Sequence, residues 1–141
     1  MKPVCVVVGV GPGNGAAFAR RFASEGYAVA LLARTAELTG KLASSLPDAR
    51  AYACDVTDAG SSLWGSIEEA TAADFEAAWR MALIVVDGVV DLPRTRERMP
   101  DKPDSFFVKP DDVAEIGFRL TQQRPSAWSF EVEARPFAEK W

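Results

Sequence analysis

The sequence contains no histidine. That excludes a Ser-His-Asp triad, a Cys-His pair and any His-ligated metal site. Cysteine is scarce: Cys5 and Cys54 are the two among 141 residues. Two thiols complete neither a structural zinc site nor a disulfide-rich scaffold. Both lie in apolar runs, which reads them as buried, reduced thiols of a cytosolic protein. Basic residues are outnumbered, 16 against 20 acidic, for a net charge of −4. That balance speaks against a nucleic-acid partner and against an anionic membrane surface. No apolar run approaches the roughly 20 residues that span a bilayer. Met1-Lys2-Pro3 followed by Val4–Val8 is too short a pattern for a signal peptide. The location expected is cytoplasmic.

What is present is an ordinary globular composition, 48% hydrophobic and 26% charged, which supports a folded chain with its own core. The length fits one domain over residues 1–141. Val4–Val8 reads as a buried strand that ends at glycine. A helix follows over about 14–25, with Phe18 and Phe22 on one face and Gly26 as its stop. Residues 27–33 form a second continuous apolar strand. Thr35 can cap a short helix with Leu38, Leu42 and Leu46 as its buried stripe. A third strand spans 50–54. Unbroken apolar strands alternating with helices predict a parallel sheet covered on both faces.

Further along, Ser66 with Glu69 and Thr71 with Asp74 match the capping-box pattern. Phe75, Ala78, Trp79 and Ala82 recur at helical spacing. Residues 83–86 form a fourth buried strand, stopped by Asp87-Gly88. Residues 89–109 read as one long irregular segment. Pro110 starts a helix with Asp111 and Asp112 at its positive end and Val113, Ile116, Gly117 and Leu120 as its stripe. The last strand, 127–134, alternates. Trp128, Phe130, Val132 and Ala134 face one way, which predicts an edge strand with one wet face.

The turn after the first strand reads Gly9-Val10-Gly11-Pro12-Gly13-Asn14-Gly15. Glycines there let the backbone approach a pyrophosphate, and the helix N-terminus presents free N–H groups to it. Two registers fit: Gly9-x3-Gly13-x-Gly15, and Gly11-x-Gly13-x2-Ala16. Both point to dinucleotide binding, against a turn that merely packs helix on strand. Arg34 ends the second strand, where an acid would favour NAD. A guanidinium there pairs with a 2′-phosphate and favours NADP(H), unless it is a solvated surface arginine. Asp55 closes the third strand. Its carboxylate either reaches the adenine edge or serves as a turn acid before Thr57.

These residues resemble the short-chain dehydrogenase/reductase family. Gly9-x3-Gly13-x-Gly15 matches the family's TGxxxGxG, with Val8 where Thr is usual. Arg34 matches its NADP-preferring type, and Asp55-Val56 its adenine-contacting pair. Phe75 to Arg80 resembles its F-x3-W helix. Residues 83–90 with Gly88 resemble the strand and turn that lie against the nicotinamide. Lys109 to Ala114 resembles its late P-[ED]-D-V-A helix. The resemblance is specific over 1–56 and weaker over 64–141. It implies a Rossmann-like three-layer α/β/α sandwich of about five mainly parallel strands. The strands are expected in the order 3-2-1, with the fourth beside the first. It also implies NADP(H) preferred over NAD(H), bound through Gly9, Gly11, Pro12, Gly13, Asn14, Gly15, Arg34, Asp55, Val56 and Gly88. Partners would be a dinucleotide, a small carbonyl or alcohol substrate, and a second copy of the chain.

The family's chemistry is hydride transfer with Tyr-x3-Lys and an upstream Ser as the proton machinery. Here Tyr27 is followed at +4 by Leu31 and Tyr52 by Val56, and there is no other tyrosine. No catalytic residue is identifiable; Asp87, Ser61 and Ser62 are weak substitutes, and no metal site is expected. The alternative function is a nucleotide-binding or scaffold domain without catalysis. The family's central segments have no counterpart here, with seams near 58–60 and 80–83. The chain would then be an internally deleted or engineered unit, a degenerate homologue, or a longer protein whose two segments are not in this sequence. Phe106-Phe107 could line a substrate pocket or lid, and Trp128 and Trp141 could meet a partner subunit.

Overall fold

The computed structural model describes residues 2–58 and 82–137. Three parallel strands open the chain: β1 (Val4–Val8), β2 (Ala28–Ala33) and β3 (Ala49–Ala53). Helices α1 (Asn14–Ser24) and α2 (Ala36–Ser44) make the crossovers. The strand order is β1-β2-β3, with Val8 level with Leu32 and Ala33 level with Ala53. All three carboxyl ends therefore meet at one edge, the position the β-α-β reading requires.

β2 is the central strand, with Val29, Leu31 and Leu32 buried and its three alanines half-buried. Leu31 is fully enclosed and Val29 nearly so, packed against Ala16, Ala19, Phe22 and Ala23 of α1 and Leu42 of α2. Burying a side chain such as Leu31 stabilises the fold by about 1.5–3 kcal/mol. β1 departs from the expectation of a strand buried on both faces. Cys5 and Val7 turn toward the helices, while Val4, Val6 and Val8 are 64%, 54% and 50% exposed. Both α1 and α2 lie on the Cys5/Val7 side, because successive right-handed crossovers in one direction place their helices on one face. In α2 the buried positions are Thr39 and Leu42 rather than the Leu38, Leu42, Leu46 stripe. Thr39 tolerates full burial because its hydroxyl donates to the Ala36 carbonyl, 3.2 Å away.

The second half contains β4 (Leu83–Val86), β5 (Val89–Val90), α3 (Pro93–Arg98), β6 (Phe107–Val108), α4 (Pro110–Thr121) and β7 (Glu131–Ala134). β4 pairs in parallel with β7, and β5 with β6. The fourth strand, expected beside β1, shares a cleft with residues 5–8 of β1 through Ile84, but its hydrogen bonds go to the last strand. The alternation expected over 127–134 holds only within β7, where Val132 and Ala134 turn inward and Glu131 and Glu133 outward; Phe130, expected on the inner face, precedes the strand and is 58% exposed. Segment 89–109 is also not irregular. Pro93 sits at the first turn of α3, and the Thr95 hydroxyl accepts from the Leu92 N–H at 2.9 Å. A 3-10 turn (Asp104–Phe106) then leads into β6.

The two halves join through α1 and α4, whose aromatic side chains interlock. Phe22 meets Tyr27 and Phe118 edge-on, with ring centroids 5.1 and 5.4 Å apart. Arg21 lies 4.0 Å over the Phe118 ring and donates to Glu115. Cys5 is half-buried and Cys54 buried, both as free thiols. Phe107 is buried, 3% exposed, and lines a cavity with Val108, Lys109 and Val113 rather than forming a lid. Among the described residues no helix is long and apolar enough to cross a membrane. The Phe75/Trp79 helix and its two capping boxes lie outside the described residues. So do Ser61, Ser62, Trp141 and parts of both seams.

Candidate functional site

The site begins where β1 ends. The N–H groups of Gly9 and Val10 both donate to the Leu32 carbonyl, at 2.9 and 3.2 Å. The chain thus stays attached to β2 for two residues past the strand and then turns away. Gly9 makes that turn at φ +76°, a conformation that favours glycine. Five residues past Gly9, α1 starts at Asn14. A β-carbon on Gly15 would stand 3.0 Å from Val10 Cα and 3.3 Å from the Gly9 carbonyl oxygen. A glycine there lets the first turn of α1 press onto the loop.

The N-terminus of α1 carries no side-chain cap and no acidic residue in its first turn. The first turn itself therefore supplies no counter-charge to the helix's positive end. Beside it, the side-chain oxygen of Asn14 is buried and has no hydrogen-bond partner among the described residues. A buried acceptor without a donor is costly and rare, and marks a place where a ligand donor or water belongs.

A groove of about 680 Å³ runs from this loop across the strand ends. Gly9 and Gly11 form one wall, Arg34 and Thr35 the next, and Asp55, Val56 and Thr57 the third. Arg34 leaves the end of β2 directly beside the loop. Asp55 follows Cys54, whose N–H is tied to the Ala33 carbonyl at 2.9 Å. The Asp55 carboxylate accepts from the Thr57 N–H at 3.0 Å and from the Thr57 hydroxyl at 2.7 Å. Those two donors hold its carboxyl below the usual carboxylate range, with the Arg34 guanidinium adding a smaller push the same way. Asp55 is thus a turn acid, one of the two roles left open, and it also lines the groove.

Of the residues singled out from sequence, Gly9, Gly11, Arg34, Asp55 and Val56 share this groove. Gly13, Asn14 and Gly15 belong to the adjoining helix start, with Pro12 leading into it. Gly88 lies elsewhere: its neighbours are Pro136 and Val108. Asp87 is tied by its N–H to the Ala134 carbonyl at 2.9 Å.

Sequence reasoning missed the strap that reaches the loop from the second half. Leu92 packs on Gly13. The strap is fastened by four charges. Asp91 accepts from Arg96 at 2.6 and 2.9 Å and from Lys109 at 2.6 Å. Asp104 accepts from the same Arg96 and, at 2.7 Å, from Lys109. Arg96 also lies 4.0 Å over the Phe107 ring. The Arg96 bonds, then the Lys109 bond, hold the Asp91 carboxyl far below its ordinary value.

Residues 3–72 match the short chain dehydrogenase family. No curated protein matches the chain. Among solved structures, a metagenomic short-chain oxidoreductase in complex with NADP is similar at 18% identity and a TM-score of 0.66. That match covers 97% of this chain and 98% of the other. An alcohol dehydrogenase from the archaeon Thermococcus sibiricus, complexed with 5-hydroxy-NADP, matches at 19% identity and a TM-score of 0.66, over 99% of both chains. A beta-ketoacyl-[ACP] reductase from Bacteroides thetaiotaomicron matches at 12% identity and a TM-score of 0.69, over 96% of this chain and 97% of that one. At such identities the structures show the shared α/β Rossmann-like fold. With the family match over the glycine loop, Arg34 and Asp55, the first half of the chain belongs to the short-chain dehydrogenase/reductase family, and the whole chain shares that family's fold.

Proposed function

We propose that this chain binds NADP(H) in the groove at the carboxyl ends of β1, β2 and β3. The observation that carries the reading is the meeting of Arg34 and Asp55 beside the glycine loop in one groove. Arg34 supplies a fixed positive charge and planar donors for a 2′-phosphate. The uncapped N-terminus of α1 and the Gly9–Gly15 loop suit a pyrophosphate. Asp55 and Val56 suit the adenine ring. The residues present fit the dinucleotide, and when bound it would supply hydride chemistry at its nicotinamide.

The reading separates binding from turnover. Neither Tyr27 nor Tyr52 is followed by lysine four positions on, so the family's proton donor for a carbonyl or alcohol substrate has no counterpart in this chain. A non-catalytic nucleotide-binding domain is the second reading, favoured by that absence alone. NADPH fluorescence titration tests binding, and carbonyl-dependent NADPH oxidation tests turnover. Saturable binding without oxidation selects the second reading over the first. An absence of binding removes both.

A further inference from the structure

We infer that Thr57 is a positioning residue for the Asp55 carboxylate, fixing its orientation so that Oδ2 serves as the acceptor at the adenine edge of the bound nucleotide. This rests on the cofactor reading above and adds a residue to it. The geometry is direct. The Thr57 N–H and the Thr57 hydroxyl both donate to Oδ1 of Asp55, at 3.0 and 2.7 Å. A carboxylate held by two donors on one oxygen cannot rotate freely about its terminal torsion. Oδ2 takes no hydrogen bond among the described residues. The Asp58 N–H closes the same turn on the Asp55 carbonyl at 3.0 Å, so the backbone under the carboxylate is fixed as well.

Asp55 and Thr57 both line the groove, as does Arg34. The ionised form is favoured first by the Thr57 N–H, then by its hydroxyl, and only last by Arg34. Asp58 is the other charged neighbour along the turn. Locally, then, Thr57 does two things: it keeps the carboxylate ionised and it assigns its two oxygens different tasks. An ionised, oriented oxygen accepts from the exocyclic amine of adenine. Hypoxanthine carries a carbonyl in that place and offers no such donor, so the site should distinguish the two bases.

The test uses the full chain with Thr57→Val, which keeps the backbone donor and the shape but removes the hydroxyl, and Thr57→Ser, which keeps the hydroxyl. Thr57 is exposed, so neither change touches the core. The first measurement is the 13C titration of the Asp55 carboxyl in nucleotide-free protein. Thr57→Val should raise its midpoint toward the ordinary carboxylate value, and Thr57→Ser should leave it low. The second is calorimetric binding of NADP+ and of its hypoxanthine analogue. The preference for adenine should fall by roughly fivefold in Thr57→Val, the size of one lost hydrogen bond, and return in Thr57→Ser. An unchanged midpoint, or an equal loss for both nucleotides, overturns the positioning role. If the wild-type chain binds neither nucleotide, the cofactor reading fails and the adenine contact with it. The titration then still decides the Thr57–Asp55 lock on its own.

Discussion

Leu92 closes on Gly13: its Cδ2 stands 2.8 Å from where a β-carbon on Gly13 would lie. Residues 79 positions apart thus set each other's limits, the one in the glycine loop and the other at the start of α3. Gly13→Ala is expected to push the Leu92 side chain aside rather than unfold α1, because the clash is with the far end of a flexible side chain. The loss of stability should stay within the roughly 1–3 kcal/mol of overpacking. Leu92→Ala in the same chain should remove most of it. Thermal melts of both single variants and the double variant check the coupling, and simple additivity would contradict the contact.

Asp91 fastens that strap, and its contribution should depend on pH in a defined direction. Arg96 and Lys109 hold its folded-state carboxyl below the unfolded value. A depressed carboxyl contributes stability that is present above the unfolded value, near pH 4, and is lost as pH falls below it. Asp104, lowered by Lys109 and Arg96, acts in the same direction. Asp91→Asn should therefore lower the melting temperature at pH 7 and flatten its decline between about pH 5 and pH 3. Melting curves across that range test it. Parallel declines in the two proteins would show that the pairs add nothing to folding.

The α1–α4 contact rests on a missing side chain. A β-carbon on Gly117 would stand 2.7 Å from Phe18 Cζ and closer still to Cε1. Gly117→Ala should destabilise by about 1–3 kcal/mol, the range for an extra group in a packed interface. Phe18→Leu should restore part of that loss by vacating the ring's space. Urea denaturation of the three variants decides it, with unchanged midpoints contradicting the packing.

The first half was legible because its signals are local. The apolar run of Val4–Val8, the glycine cluster and the helical spacing of Phe18 and Phe22 each sit within a few residues of what they specify. Arg34 and Asp55 could be placed because parallel strands of similar length end level with one another. Thr57 was visible too: an acid two positions before a threonine is a turn signature. The exposure of Val4, Val6 and Val8 was not legible, because an apolar strand carries no mark of which face a helix will cover. The partner of β4 was not legible either, since strand pairing between residues nearly 50 apart is set by packing. The strap escaped for the same reason. Asp91, Arg96, Asp104 and Lys109 read as scattered loop charges until the backbone of β5, α3 and β6 brings them together.

The most direct measurement is a fluorescence titration of the wild-type chain and Arg34→Asp with NADPH and with NADH. The wild-type chain should bind both, NADPH the more tightly. Arg34→Asp should weaken NADPH by at least about tenfold, the scale of one charge-assisted contact, and leave NADH much less affected. Equal weakening of the two would remove Arg34 from the 2′-phosphate. Failure of the wild-type chain to bind either would contradict the cofactor groove itself.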